Sequence, residues 1–485
     1  MPFTLRRAAW CAGLALACAC SGRDERSAPN LVLISIDSLR PDHLGCYGYP
    51  APTSPTLDAL AREGLRFDNA VSTTSWTLPS HAAMFTGLYD SAHGLVDNGL
   101  RLDPAHRTLA EELARAGYHT AGFFGGPYLH PTFGLNDGFE VWENCMANAD
   151  EALDANVFAT QSRRLHGASH ADITSPRTLE RVQSWIRSAP SDKPYFLFVH
   201  LWDVHYDYRA PQEYVEQFDP GYDGPLTGED FVRNPAVAPG MAPRDFKHLM
   251  ALYDAEIRFT DEHIGKMLEA LKTAGKLENT LVLVTADHGE EFLDHGRKGH
   301  QHSLFEEVVR VPMIAHWPGQ IAAGGVASTQ VRLVDLMPTF LSAAGVRNPP
   351  PSSGRDLRPL LAGQTLEERP ALLELFADGR QFAALRTNTF KVHSLAWPAR
   401  GDAPREFAFD LARDPREQQP LDLTSDARAL KGLPALRVMR SQVLELKGRI
   451  GAGAQAIDLD AEMQRKLHEL GYLGADDEPA GDGQR

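Results

Sequence analysis

Three stretches of this chain share one design, an unbroken apolar run that stops at an acid. They are NLVLISID ending at Asp37, KPYFLFVHLWD ending at Asp203, and NTLVLVTAD ending at Asp287. A strand with one wet face alternates apolar and polar residues. Continuous Val, Ile, Leu and Phe mark strands buried on both faces, as in a parallel sheet covered by helices. The segments between them supply those helices. SPTLDALAREG offers Ser54 as N-cap, Pro55 at the first helical position and Gly64 as terminator. TLAEELARAG pairs Thr108 with Glu111 as a capping box before Gly117, and HLMALYDAEIRFTDEHIGKMLEAL is a long amphipathic helix. Strands alternating with helices predict a doubly wound α/β sheet. Ligands of such sheets sit beyond the carboxyl ends of the strands, where all three acids fall. A strand-end Asp can also cap a helix or turn, so each acid carries both readings.

A net charge of −16 leaves no basic stripe to neutralise phosphates, which argues against a nucleic-acid partner. An anionic small molecule, sugar or lipid ester stays compatible with that charge if bound cations reverse the sign locally. The first residues place Arg6 and Arg7 before an apolar run from Ala8 to Ala19, an export signal too short for a membrane span. Ala17-Cys18-Ala19-Cys20 resembles a bacterial lipoprotein cleavage box, with Cys20 as the lipidated residue, Cys18 second, and plain secretion as the alternative. The expected location is the periplasm or cell surface, with membrane contact only through the lipid. Beyond the signal only Cys46 and Cys145 remain, too few for a disulfide framework, and their pairing stays open. The expected organisation is a signal over 1–20, a polar tether over 21–29 and a main domain over 30–365. A smaller α+β unit follows over 366–474, with a disordered tail over 475–485. FAALRTNTFKVH and REFAFDLARDPREQQPL read as strands and a turn, and LDAEMQRKLHELGYLG reads as a helix stopped at Gly471.

Several blocks, in order, resemble the sulfatase family of the alkaline phosphatase superfamily. They are NLVLISIDSLRPDHLGCYGY, TSPTLDALAREGLRFDNA, the Thr77 segment through MFTGLY, FLFVHLWDVH, YDAEIRFTDEHIG, TADHGEE, FEEVVRVPMI and FDLARDPREQ. The resemblance runs from about Asn30 to Gly474. It implies an alkaline-phosphatase-like sandwich, a mainly parallel central sheet flanked by helices, and hydrolysis of a tetrahedral anionic ester. Asp37, Asp287 and His288 are oxygen and imidazole ligands that such a sheet brings together. With the Thr77 hydroxyl they make a four-ligand divalent site, and the ion would lower the hydroxyl pKa to give an alkoxide nucleophile. Thr77 is expected to begin a helix that Gly87 ends, which also favours an anion there.

The chain departs from the usual sulfatase pattern at four points. Asp37-Ser38 stands where two acids are usual. Thr77 stands where Cys or Ser is oxidised to formylglycine, and its methyl-bearing Cβ cannot become that aldehyde. His81 replaces Arg, and AGFFGGPYLH carries no lysine where Lys-Trp-His is expected. The same departures resemble the nucleotide pyrophosphatase/phosphodiesterase branch, through Thr77, Pro79, His81, TGLY at Thr86–Tyr89, His93-Gly94 and Asn98. That likeness makes Thr77 both nucleophile and metal ligand and Asn98 an oxyanion donor. Asn98 also reads as a turn former before Gly99. A second ion would take Asp203, His205 and His300, with His302 a lesser choice. With a single ion, His205 contacts the transferred group. His200, His295 and Asp207 read as bystanders. The expected cofactor is one or two divalent ions (Zn, Mn or Ca), without formylglycine. A Thr ester must be hydrolysed by activated water, which favours phosphate mono- or diesters, while the family likeness favours sulfate esters. Competing readings are transfer to a sugar or lipid hydroxyl, or a non-catalytic binding descendant.

Overall fold

The computed structural model describes residues 28–147, 172–190 and 192–457. The signal segment with Cys18 and Cys20, most of the tether, the helix expected over Leu459–Gly471 and the 475–485 tail lie outside the described residues.

Eight strands form the main sheet: β1 (Asn30–Ile36), β2 (Leu65–Phe67), β3 (His119–Phe124), β4 (Val141–Asn144), β5 (Tyr195–Leu201), β6 (Thr280–Ala286), β7 (Met313–His316) and β8 (Gly325–Ala327). Their order is β8-β2-β7-β6-β1-β5-β3-β4. The block from β6 to β4 is parallel, and β7 runs against both of its neighbours. All of β5 and β6, and β1 after Asn30, are buried, as unbroken apolar runs require. Register then decides what meets at the carboxyl edge. Ile36 lies level with Ala286 and with Leu201. Asp37 and Asp287 therefore leave adjacent strands side by side, whereas Asp203 comes one residue later than its neighbours.

Two helix groups flank the sheet. In one, α1 (Pro55–Glu63) and α4 (Ser175–Ser188) pack on the long α5 (Pro243–Thr273). In the other, α2 (Thr77–Thr86) packs with α3 (Leu109–Arg115) and the Leu336–Ala343 helix. The Thr108–Glu111 capping box forms as expected. Ser54 occupies its N-cap position, but its hydroxyl makes no cap bond. Asp261 of α5 takes the Thr56 and Leu57 amides instead, each at 2.9 Å, and Ser54 Oγ accepts from Gly45 N. A tertiary carboxylate has displaced the local cap.

A second, antiparallel sheet follows, β9 (Ala371–Ala377), β10 (Arg380–Arg386), β11 (Lys391–Ala396) and β12 (Arg405–Phe409), covered by α6 (Ala427–Ile450). Buried charges join it to the first domain. Arg386 grips both oxygens of Glu306 at 2.8 and 2.7 Å, and Lys391 bridges Glu306 and Glu417 at 3.1 Å each. Charges this deep persist because each is paired and hydrogen-bonded. Cys46 and Cys145 are both free thiols.

Candidate active site

The carboxyl edge gathers a fully buried cluster around Thr77. Thr77 opens α2, and Gly87 closes that helix in a left-handed conformation, so both expected ends are present. Thr77 Oγ1 lies 3.3 Å from Asp37 Oδ2 and 3.4 Å from His288 Nε2. His288 Nε2 in turn is 3.6 Å from both Asp37 Oδ1 and Asp287 Oδ2. The backbone fixes each group. Ser38 adopts a left-handed φ of 54°, and its amide donates to Asp287 Oδ1 at 3.2 Å beside the His288 amide at 2.8 Å. His288 Nδ1 donates to Gly289 O at 2.8 Å, which leaves the Nε2 lone pair for the cluster.

The donor set fits a cation. Asp287 Oδ2 is buried without a hydrogen-bond partner. Burial pushes Asp287 well up, and the adjacent Asp37 charge pushes it further. Burial also raises Asp37, but the His200 hydrogen bond and the fields of His205 and His288 outweigh it and hold it below the usual carboxylate range. Two buried carboxylates side by side do not both ionise without a counter-charge. Burial, reinforced by His300, lowers His288 to about 4, the neutral form a metal ligand needs. Asp37, Asp287 and His288 bring ligand atoms within 4.8 Å of one another.

Three further histidines line the set. His300 stacks near His288 with ring centroids 4.3 Å apart, and His205 lies 5.1 Å from His300. His205 rests on Trp202 at 3.8 Å. His200, read as a bystander in the sequence, places Nε2 3.3 Å from Asp37 Oδ2 and Nδ1 2.9 Å from Gly125 O. Sequence reasoning also passed over Glu290. It is fully buried, takes His300 Nδ1 at 3.1 Å and Tyr208 Oη at 3.3 Å, and is pushed up to about 8 by burial. His81 turns inward, donating from Nδ1 to Thr77 O at 2.8 Å and taking Ser35 Oγ at 3.1 Å on Nε2. Burial and His200 lower it to about 3, so it cannot supply the fixed charge of the arginine it replaces.

Asp203 does not join this cluster. Oδ1 accepts Thr174 N at 2.5 Å and Thr174 Oγ1 at 3.2 Å, while Oδ2 accepts Ser175 N at 2.6 Å. It caps the start of α4 through both oxygens. Among the described residues Asp203, His205 and His300, expected to hold a second ion, do not bring ligand atoms as close together as Asp37, Asp287 and His288 do. His302 is likewise engaged, with Nε2 on Glu291 and Nδ1 on His300 O, and His295 binds Glu307 and Glu417 O. Asp207 accepts from Phe231 N. Asn98 is 7 % exposed and, with Gln301, meets the Tyr128 hydroxyl. Gln301 adopts a left-handed φ of 67°.

Comparison with known proteins agrees with this architecture. The family profile described as Sulfatase matches residues 29–346, and one described as N-sulphoglucosamine sulphohydrolase, C-terminal, matches residues 296–432. An ulvan-active sulfatase of Formosa agariphila is 28% identical over 93% of this chain and 83% of its own. Human arylsulfatase A is 28% identical over 86% of this chain and 88% of its own. Among solved structures, a complex with D-glucosamine-2-N,6-O-disulfate superposes with TM-score 0.69 at 20% identity, covering 87% of this chain and 99% of the other. The phosphonate monoester hydrolase of Agrobacterium radiobacter gives TM-score 0.68 at 23% identity, covering 88% and 97%. With its sheet order, carboxyl-edge cluster and profile match over residues 29–346, the chain belongs to the sulfatase family, whose characterised members hydrolyse sulfuric esters.

Proposed function

We propose that this sulfatase-family hydrolase uses Thr77 as its nucleophile, with one divalent ion held by Asp37, Thr77, Asp287 and His288, and prefers phosphate esters to sulfate esters. The observation that carries the reading is Thr77 Oγ1, placed 3.3 Å from Asp37 Oδ2 and 3.4 Å from His288 Nε2 at the first turn of α2. Two carboxylates, one imidazole and one hydroxyl suit zinc or manganese better than calcium, which favours oxygen alone. Bound there, such an ion would lower the hydroxyl pKa and polarise the ester. Thr77 Oγ1 then gives its proton to Asp37 Oδ2, 3.3 Å away, and attacks the central atom, forming an ester on Thr77 and breaking the bond to the leaving oxygen. In this reading a proton reaches that oxygen from His300, which Glu290 holds at 3.1 Å, or from His205, seated on Trp202. Asn98 donates to a non-bridging oxygen. Water cleaves the Thr77 ester in a second step. An aldehyde hydrate can expel sulfate by collapsing, and Thr has no such exit, so the longer route suits a phosphothreonine intermediate.

In this reading residues 30–365 hold the chemistry and 366–474 form the smaller unit. The substrate is an anionic ester of a small molecule, sugar or lipid. Sulfated sugars are named for several relatives, and a phosphonate monoester hydrolase shares the fold. Among the described residues no helix is long and apolar enough to cross a membrane. Export with a lipid on Cys20 remains part of the proposal. Radiolabelled fatty acid should enter the wild type and not Cys20→Ser; labelling that persists there and is lost in Cys18→Ser would move the anchor to Cys18, and an unlabelled wild type would remove it. The function itself is tested by assaying aryl sulfate, phosphate monoester and phosphate diester with matched leaving groups, each with zinc, manganese or calcium. Faster phosphate turnover with zinc or manganese supports the proposal. Dominant sulfate turnover with calcium overturns it.

A further inference from the structure

Asp90 begins a short helical turn, Asp90–His93, behind the loop that leads into α2, and it is 1 % exposed. Neither of its carboxylate oxygens meets a hydrogen-bond partner among the described residues. Its neighbours share that condition. The Thr73 and Thr74 hydroxyls face the carboxylate, yet neither reaches a partner at hydrogen-bond geometry. Glu374, also 1 % exposed, enters from β9. Its Oε2 accepts the Ser91 amide at 3.0 Å, and its Oε1 makes no hydrogen bond and faces Arg440 Nε at 3.6 Å. His93 is no acceptor here. Its Nδ1 takes the Leu95 amide at 3.0 Å, which leaves the proton on Nε2, 3.7 Å from Asp90 Oδ1.

Asp90 repels Glu374, and Arg440 offsets the Glu374 charge only, so a buried Asp90 carboxylate beside two unpartnered hydroxyls stays costly unless further positive charge is supplied. Burial alone drives Asp90 up to about 8, against the pull of Thr73 and Thr74. A proton on one Asp90 oxygen would remove the charge but bring only one further donor to this group of oxygens. An ion with several oxygen ligands satisfies all of them together.

We propose that Asp90, the Thr73 and Thr74 hydroxyls and Glu374 Oε1 form a second cation site, for a hard ion bound through oxygen, separate from the Asp37–Asp287–His288 set. Without imidazole or thiolate among its ligands, the site selects sodium, potassium or calcium over zinc. Its place in the fold gives it a task. Thr73 O already accepts Glu374 N at 2.8 Å, so the ion would tie the Ser72–Trp76 loop, just ahead of Thr77, to the second sheet.

The test is thermal unfolding of the full chain carrying Asp287→Ala, which removes the contribution of the first set. Sodium, potassium or calcium is added to a tetramethylammonium buffer at constant ionic strength. At a hundred times its Kd, one of these ions should raise the midpoint by about 3 °C for a chain of this size. Adding Asp90→Asn should abolish that rise. Equal midpoints in all media, or an undiminished rise with Asp90→Asn, would overturn the site. Where Asp90→Asn does not fold, anomalous diffraction from wild-type crystals grown with thallium(I) or strontium decides. A peak among Asp90, Thr73 and Thr74 supports the site, and its absence rejects it.

Discussion

Thr77→Ala removes the one side-chain oxygen that the proposed chemistry consumes. Thr77 is 2 % exposed, and its Oγ1 touches the cluster through Asp37 and His288 alone. The other donors hold themselves in place, because Asp287 is fixed by the Ser38 and His288 amides and His288 by Gly289 O. Metal content should therefore survive the substitution while the covalent route disappears. The expected loss is about 10³-fold in kcat, or about 4 kcal/mol of barrier. Thr77→Ser offers the same oxygen to the same ion and loses one buried methyl, so it should stay within about tenfold of wild type. Steady-state hydrolysis of 4-nitrophenyl phosphate, bis(4-nitrophenyl) phosphate and 4-nitrophenyl sulfate reads the rates, and intact-mass analysis of quenched samples reads the esterified protein. Thr77→Cys should not become an efficient sulfatase even beside a maturation enzyme, since His81 occupies the position of the usual arginine. Full activity in Thr77→Ala, with sulfate the preferred substrate, would refute both the nucleophile and the substrate preference.

Asp287→Ala should lose bound metal and turnover together, whereas Asp203→Ala should keep its metal and lose only the α4 cap, about 1–2 kcal/mol of stability. Metal analysis and urea unfolding of the two variants separate these outcomes. His295 is raised to about 9, because its Glu307 hydrogen bond and charge outweigh its burial. Its contribution is complete below the unfolded value of about 6.5 and is lost as pH rises toward 9. Urea midpoints should fall across that window, and His295→Gln should flatten the fall. Ser38→Asp restores a paired acid, and the left-handed φ of 54° tolerates Asp. Calcium affinity by titration calorimetry should rise, while phosphate monoester turnover falls more than sulfate turnover.

What the sequence made legible was local. The α2 boundaries at Thr77 and Gly87 and the Thr108–Glu111 box depend on neighbouring residues, and both appear as read. What it hid was register and remote partners. Three strand-end acids looked alike, but only Asp37 and Asp287 leave β1 and β6 level with each other. Asp203 meets backbone amides supplied by Thr174 and Ser175, well upstream in the chain, and no local pattern announces that. His200 did leave a signal. It is the lone imidazole in an apolar run, and pairing sets it beside Ser35 on the inner strand. Glu290 sat next to Asp287 and His288 in TADHGEE, where its partner His300 was visible only as a separate motif.

The electrostatics of the cluster connect these details to the substrate. None of Asp37, Thr77, Asp287 and His288 forms an ion pair or hydrogen bond with a lysine or arginine among the described residues. Arg40, close by in sequence, is spent on Asp42 and Asp294. In the proposed site the positive charge would then come from the bound ion, since burial holds His288 neutral. Two carboxylates would balance one divalent ion, so the four-ligand set would be neutral before a substrate arrives. A third carboxylate at position 38 would make it negative and repel a dianionic ester more strongly than a monoanionic one. Ser38 avoids this by donating its hydroxyl to Asp37 Oδ1 at 2.8 Å, replacing a charge with a hydrogen bond. A phosphate monoester carries up to two negative charges and a sulfate ester one. The proposed preference for phosphate esters thus rests on two departures from the usual sulfatase pattern, one acid fewer at position 38 and a threonine in place of the aldehyde precursor.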